Sequence, residues 1–194
     1  MNLPNKLTVF RIVLIPVFLL LMVIPFGWGE VVWAGTVIPV TSLISTVIFI
    51  VASLTDLLDG RIARSQHLVT NFGKFADPLA DKMLVMTAFV ILVSMGKAPA
   101  WVVAIIVCRE LAITGLRLLI VENDGTVMAA AYPGKIKTTT QMLSIILLLL
   151  NNVFFNNIHL PMALILLYVC LFFTIYSGID YFVQNRSVFS DGFK

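Results

Sequence analysis

The stretch from Asp56 to Asp81 concentrates the residues best suited to chemistry. It reads Asp56-Leu57-Leu58-Asp59-Gly60-Arg61-Ile62-Ala63-Arg64 and, after a polar connection, Gly73-Lys74-Phe75-Ala76-Asp77-Pro78-Leu79-Ala80-Asp81. Four aspartates gather here in a chain with only ten acidic residues. At helical spacing Asp56, Asp59, Gly60, Ala63 and Arg64 share one face, and Gly73, Asp77 and Asp81 share another. Two such helices facing each other bring all four carboxylates together. Like charges that close do not stay ionised in low-dielectric surroundings unless a cation neutralises them. An oxygen-only donor set with no Cys or His suits a hard ion, Mg²⁺ or Mn²⁺. Gly60 and Ala63 leave room for a ligand against the backbone, and Arg64 offers a fork for phosphate.

A second group is basic. Arg109, Glu110 and Arg117 interrupt an apolar run, and Lys135 and Lys137 precede the next one. Arg109 and Arg117 are two turns apart on one helix face. Together with Lys135 and Lys137 they are expected to line a pocket beside the aspartates and to hold a phosphorylated anion. Two plainer readings compete: an ion pair of Arg109 with Glu110, and ordinary placement of the two lysines at a membrane surface. His67, alone in a polar loop, is no ligand candidate.

The elements that must position these groups are membrane helices. Hydrophobic residues make up 60% of the 194, charged residues only 12%, and the mean hydropathy is +1.02. Such a composition excludes an ordinary soluble globular domain. At about 20 residues per span the chain accommodates six, expected at about 7–27, 32–58, 75–96, 100–121, 137–155 and 161–183, in one all-α, polytopic domain covering 1–194. Pro16 and Pro25 are expected to kink or end the first span, and Pro78 to sit in the first turn of the third or to kink it. Counted at about 1.5 Å per residue from a turn at Lys97 to Pro99, Arg109 lies on the order of 15 Å deep, where arginine must face protein or a polar cavity. The first apolar run is too long for a cleavable leader and lacks a clear cleavage site. Cys108 and Cys170 lie in apolar runs and read as free thiols.

Charge distribution sets the orientation. With six spans, Lys6, Arg11, Arg61, Arg64, Lys74, Lys82, Arg117, Lys135, Lys137, Arg186 and Lys194 fall on one side, and Lys97 alone on the other. The positive-inside rule makes the first side, with both termini and the aspartates, cytoplasmic.

The pattern D-x2-D-G-x2-A-R-x8-G-x3-D-x3-D, met here at every fixed position from Asp56 to Asp81, resembles the signature of the CDP-alcohol phosphotransferases. The resemblance implies a membrane enzyme of the cell membrane whose polar, metal-containing cavity opens to the cytoplasm. It implies that Asp56, Asp59, Asp77 and Asp81 bind two Mg²⁺ or Mn²⁺ ions, with Asp81 also the general base. Asn5, Thr8, Gly60, Ala63, Arg64 and Gly73 would bind the CDP-lipid; the alternative for the polar lead, with Lys6 and Arg11, is anchorage at the headgroups. The stretches Asn5-Lys6-Leu7-Thr8-Val9-Phe10-Arg11, Arg109 to Arg117 and Gly134-Lys135-Ile136-Lys137-Thr138 are similar to the bacterial branch of the family that makes phosphatidylglycerophosphate. Its substrates would be CDP-diacylglycerol and glycerol 3-phosphate, with Arg109, Arg117, Lys135 and Lys137 on the acceptor phosphate. A homodimer in membrane lipid is the assembly that relatives suggest, and no nucleic acid partner is expected.

Three alternatives stay open from sequence: the same chemistry with another acceptor such as inositol phosphate, an ion-coupled transporter, and a non-catalytic membrane scaffold. A cationic acceptor such as choline is disfavoured by the basic group.

Overall fold

The computed structural model describes residues 3–65, 71–122 and 132–185. Among them are six long helices: α1 (Leu3–Val23), α2 (Val40–Ser65), α3 (Asn71–Ser94), α4 (Ala100–Glu122), α5 (Tyr132–Leu149) and α6 (Met162–Gln184). By length and apolarity Asn5–Val23 and Met162–Gln184 qualify as membrane spans, and Val40–Thr55 is a shorter apolar stretch. The chain gathers into two compact units, Met1–Lys97 with Ile145–Pro161, and Ala98–Ser144 with Met162–Lys194.

In the first unit α1 packs on both α2 and α3. Phe18 and Phe49 fill the α1–α2 seam, with rings 6.4 Å apart. Small residues, Ala52, Ala80 and Ala88, are fully buried alongside Leu84, Phe89 and Leu92. In an apolar environment such helices gain little from burying Leu against Leu; close backbone approach and hydrogen bonds between helices hold them instead. Arg11 supplies one such bond. It is completely buried on α1, and its Nε donates to the Ala52 carbonyl of α2 at 3.2 Å.

Helix α1 runs through Pro16 and stops at Val23, before Pro25. Helix α3 begins at Asn71 and continues through Pro78. Proline has no N–H to give the carbonyl four residues back, so α3 lacks that bond at Lys74, between Gly73 and Asp77.

The second apolar run departs from expectation at its start. Instead of a helix from about residue 32, β1 (Glu30–Trp33) and β2 (Thr36–Pro39) form an antiparallel hairpin, and α2 begins only at Val40. Apolarity cannot separate the two outcomes; local chemistry does. Val31, Val32, Thr36, Val37 and Ile38 are β-branched, and Ala34 and Gly35 take φ of 48° and 73°, the pattern of a tight primed turn. A Cβ at Gly35 would sit 2.6 Å from Oδ1 of Asn157. Asn157 Nδ2 donates to the Ala34 carbonyl and Asn151 Nδ2 to the Val37 carbonyl, each at 2.8 Å, and Trp33 meets Phe154 edge-on at 5.4 Å. Two asparagine amides thus dock the hairpin onto the turn after α5. That helix ends at Leu149 rather than near 155; Asn151 and Asn152 then adopt positive φ, which asparagine tolerates.

In the second unit α4 packs against α6. Val102, Ile106, Ile113 and Leu167 are buried there, and Ser144 of α5 donates to the Ala163 carbonyl of α6 at 2.8 Å. Cys170 is buried and Cys108 exposed, both free.

Candidate active site

Helix α2 continues without a break to Ser65, so Asp56, Asp59, Gly60, Ala63 and Arg64 all lie on one helix. Helix α3 likewise carries Gly73, Asp77 and Asp81. The two helices touch within the first unit, and α1 lies against both. Asp56 and Asp59 stand one turn apart along α2, and Asp77 and Asp81 one turn apart along α3, so two touching helices carry an all-oxygen donor set in their sequence. That set fits a hard divalent cation and offers neither thiolate nor imidazole to a softer one. The side chains of Asp56, Asp59, Gly60, Ala63, Arg64, Gly73 and Asp77 lie outside the described residues. Asp81 is described and half-buried. Among the described residues no three acidic, His or Cys side chains converge.

The polar lead is part of α1. Asn5, Thr8 and Arg11 recur every third residue and all three are buried, whereas Lys6 is exposed. Headgroup anchorage therefore suits Lys6 and not Arg11. The bond from Arg11 to Ala52 falls one helical turn before Asp56, so α1 fixes the part of α2 that leads into the aspartate face.

The second unit holds the basic group, and here side-chain geometry is explicit. Nη1 of Arg109 donates to Oε1 of Glu110 at 3.1 Å, and Lys137 of α5 donates to the same oxygen. Side-chain exposure is 17% for Arg109, 16% for Glu110 and 8% for Lys137, so the triad is largely withdrawn from water. The Arg109–Glu110 ion pair that the sequence left as an alternative is thus present, and Glu110 is shared by two cations. Nη2 of Arg109 donates to Oγ of Ser177 on α6 at 2.8 Å. Nε of Arg109 is buried without a hydrogen-bond partner, and the Arg109 side chain lies on Gly178, where a Cβ would stand 3.2 Å from Cγ and 3.4 Å from Nε. Two turns on, the exposed Arg117 guanidinium sits over the Tyr181 ring, 5.5 Å from its centroid, within cation–π range. Lys135 is exposed in the first turn of α5.

Of the sequence-derived cations, Arg109 and Lys137 are therefore brought together, on Glu110, while Arg117 and Lys135 are open to solvent. Ser177, Gly178 and Tyr181 escape a reading by charge. Their signal is spacing alone: Cys170, Thr174, Ser177, Gly178 and Tyr181 recur at three to four residues along an otherwise apolar α6.

Chemically, the first unit carries four aspartates on two touching helices, a residue set suited to divalent cations. The second holds guanidinium and ammonium groups on a buried glutamate with positive charge left over: two cations less one carboxylate leave +1 in the triad, before Arg117 and Lys135 are counted. An anion with several oxygens is the ligand such a group accommodates.

The family model described as CDP-alcohol phosphatidyltransferase matches residues 1–176. A CDP-diacylglycerol–glycerol-3-phosphate 3-phosphatidyltransferase of Bacillus subtilis is 50% identical over 184 residues, 95% of each chain. A protein of the same description from Haemophilus influenzae is 37% identical, covering 93% of this chain and 91% of its own. A probable phosphatidylglycerophosphate synthase of Mycobacterium tuberculosis is 36% identical, covering 93% of this chain and 79% of its own.

Proposed function

The chain belongs to the CDP-alcohol phosphatidyltransferase family, and from that premise we propose that it transfers the phosphatidyl group of CDP-diacylglycerol to glycerol 3-phosphate, giving phosphatidylglycerophosphate and CMP. The observation that carries the choice of acceptor is the relative named for that reaction, identical at half the positions over nearly the full length of both chains. Family membership removes the transporter and scaffold readings. The basic group on α4 and α5 suits an acceptor that already bears a phosphate.

In this reading a hydroxyl of glycerol 3-phosphate attacks the phosphorus that carries the diacylglycerol. The new P–O bond forms as the bond to CMP breaks, CMP leaves with the electron pair, and the hydroxyl proton passes to a carboxylate. Asp81 is assigned that proton, and a carboxylate in hydrogen-bond reach of the hydroxyl serves as general base. Asp56, Asp59, Asp77 and Asp81 are assigned to two Mg²⁺ or Mn²⁺ ions, which when bound neutralise the phosphoryl oxygens and the departing phosphate. Asn5, Thr8, Gly60, Ala63, Arg64 and Gly73 are assigned to the CDP-lipid, with small residues keeping the backbone of α2 and α3 accessible. Arg109, Arg117, Lys135 and Lys137 are assigned to the acceptor phosphate, Lys137 partly through the glutamate it shares with Arg109. We place both termini and this chemistry on the cytoplasmic side of a six-span, homodimeric protein, as the distribution of basic residues supports.

The test is product identity. Purified protein in detergent with CDP-diacylglycerol, Mg²⁺ and isotopically labelled glycerol 3-phosphate should yield one labelled lipid with the mass of phosphatidylglycerophosphate and an equal amount of CMP. Release of CMP with all label left in the aqueous phase would overturn the transfer reaction.

A further inference from the structure

We propose that α6 carries a seat for the two arginines of α4: Ser177 and Gly178 position Arg109, the ring of Tyr181 positions Arg117, and the three residues thereby set affinity for the acceptor phosphate. The proposal rests on the assignment of Arg109 and Arg117 to that phosphate and extends it to residues that touch no substrate.

Three contacts make the seat. Ser177 Oγ donates to the Phe173 carbonyl at 2.6 Å, which turns its lone pairs toward Nη2 of Arg109, the donor at 2.8 Å. Gly178 offers bare backbone where the arginine stem and Nε lie. Those distances of 3.2 and 3.4 Å mean that an added methyl group displaces the side chain by a few tenths of an ångström. Tyr181 lies one turn beyond, under Arg117. Its hydroxyl is buried without a hydrogen-bond partner, so the ring, not the oxygen, is what Arg117 uses.

Rigidity is the gain. A free arginine loses most of its rotamer freedom when it grips a phosphate, and one already fixed loses less. Arg109 is held at Nη1 by Glu110, at Nη2 by Ser177 and along its stem by Gly178. Displacement of a positioning group by a fraction of an ångström weakens a bidentate contact without abolishing it.

The experiment is steady-state kinetics with both substrates varied, together with a thermal melt, on the full-length protein in detergent micelles. Gly178→Ala and Ser177→Ala should raise the KM for glycerol 3-phosphate by about three- to tenfold, leaving the KM for CDP-diacylglycerol within about twofold of the parent. Alanine is the better helix former, so Gly178→Ala should melt no lower than the parent while binding the acceptor worse. Tyr181→Leu should raise the acceptor KM, and Tyr181→Phe, which keeps the ring, should match the parent. Arg109→Lys, which removes the fork, should exceed all of these. If Arg109→Lys raises the acceptor KM and the α6 variants leave it unchanged, the seat is overturned and the phosphate assignment stands. If Arg109→Lys leaves the acceptor KM unchanged, the assignment of Arg109 falls and the seat with it. A fall in kcat with both KM values moved together and a lower melting temperature would reduce the α6 residues to packing and overturn the proposal.

Discussion

The acid-bearing helices α2 and α3 and the cation-bearing helices α4 and α5 face the same difficulty, charge in apolar surroundings, and resolve it in opposite ways. In the second unit the charges largely satisfy one another: Glu110 takes both Lys137 and Arg109, and Ser177 of α6 accepts from Nη2 of Arg109. In the first unit the motif places four aspartates along two touching helices, the set proposed to take divalent cations from solution. A self-compensated group with modest surplus charge can bind and release an anion, whereas an all-oxygen set of four carboxylates suits retention of a divalent ion. On the proposed function, the contrast separates the region assigned to the cofactor from the region assigned to a substrate that must turn over.

The strongest way to break the contrast lies in the first unit. Asp56→Asn should lower kcat by about a thousandfold while the protein still inserts and melts normally, as read by CMP release; Asp81→Asn should do the same. Removal of divalent ions with EDTA should silence the parent enzyme, and added Mg²⁺ should restore it. Activity that survives chelation would remove divalent ions from the account of the carboxylates.

Smaller effects sharpen the other side. Arg117→Ala or Lys135→Ala should raise the KM for glycerol 3-phosphate about tenfold, a loss of about 1.4 kcal/mol, and the KM for the CDP-lipid much less. Equal effects on both substrates would move these cations to the nucleotide. Arg11→Met removes a buried charged donor to Ala52 and should cost about 2 kcal/mol of stability, seen as a lower melting temperature. Least of all, Asn157→Ala should loosen the hairpin by about 1 kcal/mol and leave both KM values alone, because the hairpin holds none of the proposed site residues.

The two regions also differ in how much of them the sequence reveals. The aspartate motif is legible because its residues are close in sequence, charged, and spaced for two helices; α2 runs on to Ser65, past the expected end near 58, and so keeps Asp56 to Arg64 on one helix. The basic group is legible only in part. Arg109, Arg117 and Lys137 announce themselves by charge, yet whether Glu110 pairs with them or merely neighbours them depends on where α5 is placed. Ser177 and Gly178 are nearly seventy residues from Arg109 along the chain, carry no charge, and resemble the small residues of any packed membrane helix. The hairpin was hidden for a different reason. Its valines satisfy a hydropathy window as well as a helix does, and only the Ala34-Gly35 turn and its asparagine partners decide the matter.

The most direct test of the division of labour is CMP release by the purified protein with CDP-diacylglycerol and Mg²⁺, comparing glycerol 3-phosphate, inositol phosphate, serine and no acceptor side by side. The account predicts release with glycerol 3-phosphate alone, lost on chelation. Release with serine, which lacks a phosphate for the basic group to hold, or equal release without any acceptor, would contradict it.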